Sequence, residues 1–309
     1  PLVHEPTSSG MNIKEFLAST APKAEPTPDE PTAQAGQRTQ FIINQLTELN
    51  VGQKVVDMKV LLQQEHPTTA LAAGRTPQPL SVEKVSIDWF AQYLVVKRVA
   101  SQANFHSVYL SFIQKLATKE NKLLRSVLRC TLGICRQLLS SDTIRVEEQE
   151  RRLLKTLGGW LGLITLTQNK PVLHRDLDLK ELLYVAYEHG SLVAVMPFVA
   201  KVMDGAQSSK IFRPPNPWTM ALMNALREMY DVPDLKLFLK FEVVRLCKAL
   251  KLVMEEDLRN PGHLAMRRSP PTIDNPDLTN KANAAAAERR RTTGGGQLAD
   301  TGALGDNIS

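Results

Sequence analysis

The residues of this sequence that could do chemistry are few, and the most suggestive run is His174-Arg175-Asp176-Leu177. It matches the opening of a protein kinase catalytic loop, whose Asp accepts the proton of the substrate hydroxyl. A kinase also needs Asn at the position of Glu181, a Gly-rich phosphate loop, a strand lysine and an Asp-Phe-Gly run, and the sequence has none of these. We therefore interpret Asp176 or Asp178 as the N-cap of a helix that begins near Leu179.

The sequence also lacks the motifs that other enzyme classes need. The sequence contains no Gly-x-Ser-x-Gly elbow, Walker loop or His-Glu-x-x-His helix, so hydrolase, nucleotidase and metalloprotease functions are not indicated. The histidines are scattered without ligand spacing, and the cysteines at 130, 135 and 247 fall in apolar stripes typical of buried, reduced thiols. We expect no catalytic residue, no metal site and no cofactor.

The elements that would have to position any site are helices, and the stretch from Asn104 to Leu116 shows their design. Its apolar residues recur at helical spacing and form one buried face: Phe105, Val108, Tyr109, Phe112, Ile113 and Leu116. We predict that Phe105, Tyr109 and Phe112 lie in the core with Trp160. His106 borders this stripe and is interpreted either as a surface or boundary histidine or as a contact for a partner.

Similar segments repeat between about residues 38 and 258, and sustained strand alternation is missing. The pattern predicts an all-α fold, a solenoid of about five antiparallel helix pairs that presents extended surfaces to partners. The predicted helices cover 41–49, 51–62, 82–99, 104–116, 123–139, 147–167, 179–187, 192–203, 217–230 and 235–254.

Glycines inside one predicted helix suggest close packing. Gly158, Gly159 and Gly162 each lower helix propensity by about 1 kcal/mol relative to Ala, so we expect them to admit a neighbouring helix. Gly190 follows another helix and suits a left-handed helix end.

The two ends differ in composition from the middle. Proline, alanine and glycine-rich stretches predict disordered linkers at 1–37 and 263–309 around a helical domain at 38–262. The run from Met11 to Leu17 could fold on a partner, but we expect an unstructured tail there. Because the chain begins with Pro1, we expect it to be part of a longer protein. The apolar run at 157–166 is about half the length that a membrane span needs.

Candidate partner-binding residues fall in two places besides His106. The first is the Pro-rich loop that contains Arg213, Asn216 and Trp218, where prolines fix an extended turn. The second is a possible basic ridge, within a chain of formal charge +6, and a solvated face is the plainer interpretation. The ridge residues are Lys115, Lys119, Lys122, Arg125, Arg129 and Arg136.

Several runs, taken together and in order, resemble one known family, the middle domain of the Not scaffold, the largest subunit of the Ccr-Not deadenylase complex. The resemblance extends from about Phe41 to Leu258. The runs are Gln92-Tyr93-Leu94-Val95-Val96-Lys97-Arg98-Val99, Asn104-Phe105-His106-Ser107-Val108-Tyr109, Leu157-Gly158-Gly159-Trp160-Leu161-Gly162, Asn169-Lys170-Pro171, Pro197-Phe198-Val199-Ala200 and Phe212-Arg213-Pro214-Pro215-Asn216-Pro217-Trp218.

The resemblance implies both a fold and a function. That domain is similar to the middle domain of initiation factor four-G, which implies helical hairpins of the HEAT type. The implied function is a non-enzymatic scaffold that docks a Caf-type deadenylase and a DEAD-box helicase for messenger RNA deadenylation, translational repression and decay. Other Ccr-Not subunits would join through the rest of the parent chain, and RNA contact would be indirect. The implied location is the cytoplasm, with the nucleus and P-bodies as further places.

The alternatives left open at this point share the fold. One is a helicase-binding module of a translation or splicing factor, and the other is a helical solenoid that binds RNA directly with a steep salt dependence. The loop at 66–80 departs from what the family leads us to expect, so a contact made by that loop stays open.

Overall fold

A computed structural model describes residues 13–19, 28–62, 85–117, 121–272, 274–280, 282–285 and 288. Over these residues the chain is helical, and the only extended pairing is one bridge between Leu235 and Leu278. Twelve α-helices have defined bounds: α1 Ile13–Ser19, α2 Ala33–Asn44, α3 Val51–Leu62, α4 Ile87–Leu94, α5 His106–Leu116, α6 Lys122–Leu139, α7 Glu148–Ile164, α8 Leu179–His189, α9 Leu192–Asp204, α10 Pro217–Tyr230, α11 Leu237–Leu250 and α12 Met254–Asp257. Residues 280, 282–285 and 288 are also helical.

The helices pair into five hairpins, α2/α3, α4/α5, α6/α7, α8/α9 and α10/α11, and in α4/α5 the Phe90 and Phe112 rings pack edge-to-face at 6.4 Å. The second helices form one layer, in which α3, α5, α7, α9 and α11 pack in succession. Among the first helices, α4 packs on α6 and α8 packs on α10. The predicted all-α solenoid of about five antiparallel pairs is therefore confirmed.

The core runs between the two layers, and most of its predicted members lie there. Tyr109, Phe112 and Trp160 are buried. Phe105 was predicted to join them but is 45% exposed, so that prediction is wrong. The reason is local: Phe105 ends the 3-10 turn Ala103–Phe105 ahead of α5, so its side chain leaves the helical stripe.

N-cap residues explain why two helices begin at other residues than predicted. Helix α2 begins at Ala33 instead of 41, because the Thr32 hydroxyl accepts a hydrogen bond of 3.3 Å from the Ala35 N–H. Helix α4 begins at Ile87 instead of 82, with Ser86 capping the Trp89 N–H at 3.1 Å. It continues into a π-helical turn, Val95–Val99.

Close approach of α7 to α9 depends on two of the three glycines. A Cβ on Gly158 would lie 2.8 Å from the carbonyl oxygen of Phe198, and one on Gly162 would lie 2.3 Å from that of Val202. The prediction is confirmed for these two. It is wrong for Gly159, where a Cβ would meet nothing within 4 Å. Gly190 ends α8 in the left-handed region, with φ +66°, as predicted.

Parts of both predicted linkers pack against the hairpins. Residues 13–19, expected to be unstructured, form α1, and its Ile13, Phe16 and Leu17 are buried. Near the other end, Arg267 forms paired hydrogen bonds of 2.7 Å with both carboxylate oxygens of Glu181. We call residues 263–272 and 274–280 the C-terminal strap. Its Asp277 also contacts the start of α9. The loop at 66–80 lies outside the described residues.

Candidate protein-docking surfaces

The Pro-rich loop before α10 is held in place by Asn169, which lies in the segment between α7 and α8. Asn169 is left-handed, with φ 58°, and its Oδ1 accepts hydrogen bonds from the Ser209 hydroxyl and from the Lys210 and Ile211 N–H groups, at 3.0, 2.7 and 3.2 Å. The Ser209 hydroxyl in turn accepts from the Phe212 N–H at 2.9 Å. A loop fixed by this many bonds loses little entropy when a partner binds it.

The three predicted residues of this loop have different environments. Arg213 is exposed. Asn216 is the N-cap of α10, since its Oδ1 accepts from the Trp218 N–H at 2.9 Å and the Thr219 N–H at 3.2 Å. Trp218 is half-buried, packs edge-to-face on Phe212 at 5.7 Å, and lines a cleft of about 210 Å³. Asn216 and Trp218 thus shape the loop, and of the three predicted residues Arg213 is the most exposed to a partner.

His106 is a core residue, which corrects the interpretation of it as a surface histidine or partner contact. It is 8% exposed, and its Nε2–H donates to the Val99 carbonyl at 2.9 Å. Its ring packs edge-to-face against Trp160 at 5.3 Å. Burial lowers the pKa of His106, because the charged imidazolium is poorly solvated there.

The basic ridge is only partly assembled. Lys115 and Lys122 are exposed, and Lys119 lies outside the described residues. Arg129 forms an ion pair of 2.9 Å with Asp88 on α4. Arg136 donates a hydrogen bond to the backbone carbonyl of Asp176, in the segment before α8. The charge of this surface is therefore smaller than the sequence indicates.

A surface that sequence analysis missed lies on α11, the last helix of the last hairpin. Its core side carries the buried residues Leu239, Val243, Leu246 and Leu250. Large apolar side chains also cover its outer side, and we call them the α11 face: Leu237, Phe238, Phe241 and Val244, exposed by 62, 46, 58 and 43%. Three of them recur at helical spacing of four and three, so a helix apolar on two sides was the available signal. Clustered exposed apolar side chains of this kind mark interaction sites.

Ion pairs hold α11 in position beside this face. Lys155 of α7 pairs with Glu242, and Arg245 bonds Glu242 at 3.2 Å and Asp204 at 2.8 Å. Lys201 completes the chain to Asp204 at 3.1 Å. Helices α7, α9 and α11 are thus cross-linked, which keeps the α11 face rigid without covering it.

Reactive groups of the described chain have structural roles. Asp178 caps α8, accepting from the Lys180 and Glu181 N–H groups at 3.1 and 3.0 Å, as one of the two predicted caps. Burial raises the pKa of the Cys130, Cys135 and Cys247 thiols to about 11, 12 and 11, so they stay protonated. The described residues contain no cluster able to hold a metal ion and no helix long and apolar enough to cross a membrane.

Comparison with known proteins gives consistent matches. Residues 79–272 match the model of the CCR4-NOT transcription complex subunit 1 CAF1-binding domain. The chain is 37% identical over 215 residues to general negative regulator of transcription subunit 1 of Schizosaccharomyces pombe, covering 70% of this chain and 9% of that protein. It is 40% identical over 174 residues to CCR4-NOT transcription complex subunit let-711 of Caenorhabditis elegans, covering 54% and 6%.

A further relative is general negative regulator of transcription subunit 1 of Saccharomyces cerevisiae, 34% identical over 218 residues, which cover 70% of this chain and 9% of that protein. The chain spans less than a tenth of the length of these relatives. The Arg213 loop and the α11 face both lie inside the range that the family model matches.

Proposed function

The chain belongs to the family of CAF1-binding domains of CCR4-NOT transcription complex subunit 1, and from that premise we propose that it is a non-enzymatic scaffold that docks a Caf-type deadenylase. A DEAD-box helicase would dock on a second surface, so that deadenylation and translational repression act on one messenger RNA. Other Ccr-Not subunits would join through the rest of the parent chain, with RNA bound indirectly. The proposed location is the cytoplasm, with the nucleus and P-bodies as further places.

The observation that carries the proposal is the α11 face. It presents two phenylalanines and two aliphatic side chains on a helix whose backbone is fixed by ion pairs to α7 and α9. Aromatic and aliphatic anchors on a rigid element are the usual centre of a protein interface. We place the deadenylase on this face.

The test compares deadenylase binding by the unaltered chain with binding by Phe241→Asp. Calorimetry with a purified Caf-type deadenylase should show affinity at least about 30-fold weaker, the effect of losing a hot spot of about 2 kcal/mol. The matched control is Phe41→Asp on α2, because Phe41 is 59% exposed against 58% for Phe241 and lies outside the 79–272 match. Equal weakening by both variants, or by neither, would overturn the placement.

The helicase is placed on the Arg213 loop for a different reason. The loop presents Arg213 and Ile211, 56% exposed, on a backbone fixed by Asn169. A basic residue beside an exposed apolar one on a preorganised loop suits a partner surface with an acidic rim.

Arg213→Glu should weaken binding of a purified DEAD-box helicase of the translational repressor type while leaving deadenylase binding unchanged. Arg38→Glu on α2 makes the same charge change at another exposed arginine and serves as the control. Loss of both partners in Arg213→Glu, or of neither, would argue against two separate surfaces. Helicase binding without deadenylase binding by the unaltered chain would instead favour the translation or splicing factor alternative.

A further inference from the structure

Successive first helices of the hairpins do not all pack on one another. Helix α4 packs along α6, and α8 packs along α10, but the short helix α1 lies between α6 and α8 and contacts both. In the opposite layer, Gly158 and Gly162 bring α7 close to the backbone of α9. The hairpins α6/α7 and α8/α9 therefore meet closely on one side and diverge on the other, and the diverging side is a groove.

Helix α1 fills this groove with a short apolar pattern. Ile13, Phe16 and Leu17, at positions i, i+3 and i+4, are exposed by only 8, 8 and 3%. Lys14 forms an ion pair of 2.6 Å with Asp142, just beyond the end of α6. Their side chains are 49 and 84% exposed, so this pair orients α1 and adds little to its stability.

Two observations indicate that α1 is distinct from the domain that forms the groove. Helix α1 has seven residues, too few for a helix to be stable by itself in water. It also lies outside the 79–272 range of the family match, whereas α6 and α8 lie inside it. The walls of the groove are thus part of the family domain, and α1 is connected to that domain by the residues that follow it in the chain.

We propose that the groove between α6 and α8 is a docking site for a short amphipathic helix of a protein partner, and that α1 occupies it in cis. The partner helix that fits carries bulky apolar side chains at i, i+3 and i+4 and a basic residue at i+1, as Ile13, Phe16, Leu17 and Lys14 do. Recognition is of the helix-in-groove kind, in which apolar anchors enter a preformed slot. This surface is separate from the α11 face and from the Arg213 loop.

The test uses the full chain with Phe16→Glu and Leu17→Glu, which vacates the groove, and a fluorescein-labelled peptide with the sequence of residues 10–20. The peptide should bind the variant saturably by fluorescence polarisation. Binding to the unaltered chain should be at least about 10-fold weaker, because a short tether keeps α1 at millimolar effective concentration. The peptide carrying the same two glutamates should bind neither chain.

A second measurement uses the unaltered chain alone. Excess unlabelled peptide should accelerate hydrogen exchange of the α1 amides and leave those of α9 unchanged. Equal binding of the labelled peptide to both chains, or no binding to the variant, would overturn the proposal. Loss of cooperative melting in the variant would overturn it too, since α1 would then be an integral part of the hairpin core.

Discussion

The carboxylate of Asp277 accepts a hydrogen bond of 2.7 Å from the backbone N–H of Val193, 84 residues earlier in the chain. Its other oxygen accepts from the Leu192 N–H at 2.9 Å, so the C-terminal strap supplies the cap for the first turn of α9. Asp277 is 2% exposed. Burial raises its pKa from 3.8 to about 6, against the opposing effect of the two backbone donors and of Arg145 and Lys236.

The buried Asp277 should make stability depend on pH in the acidic range. Between pH 4 and 6 the folded state keeps the proton while the unfolded state has released it, so the free energy of unfolding falls as pH rises. The difference between 3.8 and about 6 corresponds to roughly 3 kcal/mol. Asp277→Asn cannot ionise, so in urea titrations at pH 4, 5, 6 and 7 its stability relative to the unaltered chain should rise across this window. Parallel profiles for the two chains would contradict the assignment.

Arg267 also holds the C-terminal strap against the hairpins, and the neighbouring Arg268 provides a control. The Arg267 side chain is 20% exposed, bonds both oxygens of Glu181, lies 3.8 Å from the carboxylate of the buried Glu188 and stacks over the Tyr184 ring at 5.0 Å. Arg267→Ala leaves Glu188 without this charge, so we expect a loss of about 2 kcal/mol or more.

Arg268→Ala removes the same charge from an exposed position. The hydrogen bond from the backbone N–H of residue 268 to Glu188 is retained in this variant. We expect this variant to stay within about 0.5 kcal/mol of the unaltered chain in urea unfolding. Similar losses in the two variants would mean that the strap is not held through Arg267.

Sequence periodicity was sufficient for the hairpins because each helix carries its own apolar stripe. The α3 bounds, 51–62, and the start of α10 at Pro217 were predicted as they are, since caps and prolines are local signals. Contacts between residues far apart were not predictable in this way. The strap was assigned to a linker because of the proline, alanine and glycine-rich stretches in 263–309, and nothing near Asp277 in the sequence indicates a buried carboxylate.

In the candidate site, too, features set by local sequence were predicted and those set by distant residues were not. Arg213 was selected from a local Pro-rich run, and it is exposed. His106 was misplaced because its environment is set by Trp160, which lies on the next hairpin. The α11 face was missed because the apolar residues of each predicted helix were all assigned to the core, whereas α11 carries apolar side chains on two sides.

The two glycines of α7 that face α9 can be tested against the one that does not. A Cβ on Gly162 would lie 2.3 Å from the Val202 carbonyl oxygen, so Gly162→Ala must push α9 away and should cost about 1–3 kcal/mol or more. Gly159→Ala meets nothing within 4 Å and should stabilise the chain by up to about 1 kcal/mol through helix propensity. Urea unfolding of both variants checks the difference in sign, and a loss in Gly159→Ala equal to that in Gly162→Ala would rule out the close-approach explanation.

The Asn169 side chain should fix the Arg213 loop independently of its backbone conformation. Asn169→Gly keeps the left-handed φ at no steric cost but removes the Oδ1 that accepts from the Lys210 and Ile211 N–H groups. Amide hydrogen exchange at these two residues should therefore speed up, while exchange in α9 stays unchanged. Asn169→Asp retains an acceptor oxygen and should keep the protection, because a carboxylate can accept the same two bonds. If Asn169→Gly leaves exchange at Lys210 and Ile211 as it was, the loop is held by its prolines and its own hydrogen bonds, and its preorganisation does not depend on the segment between α7 and α8.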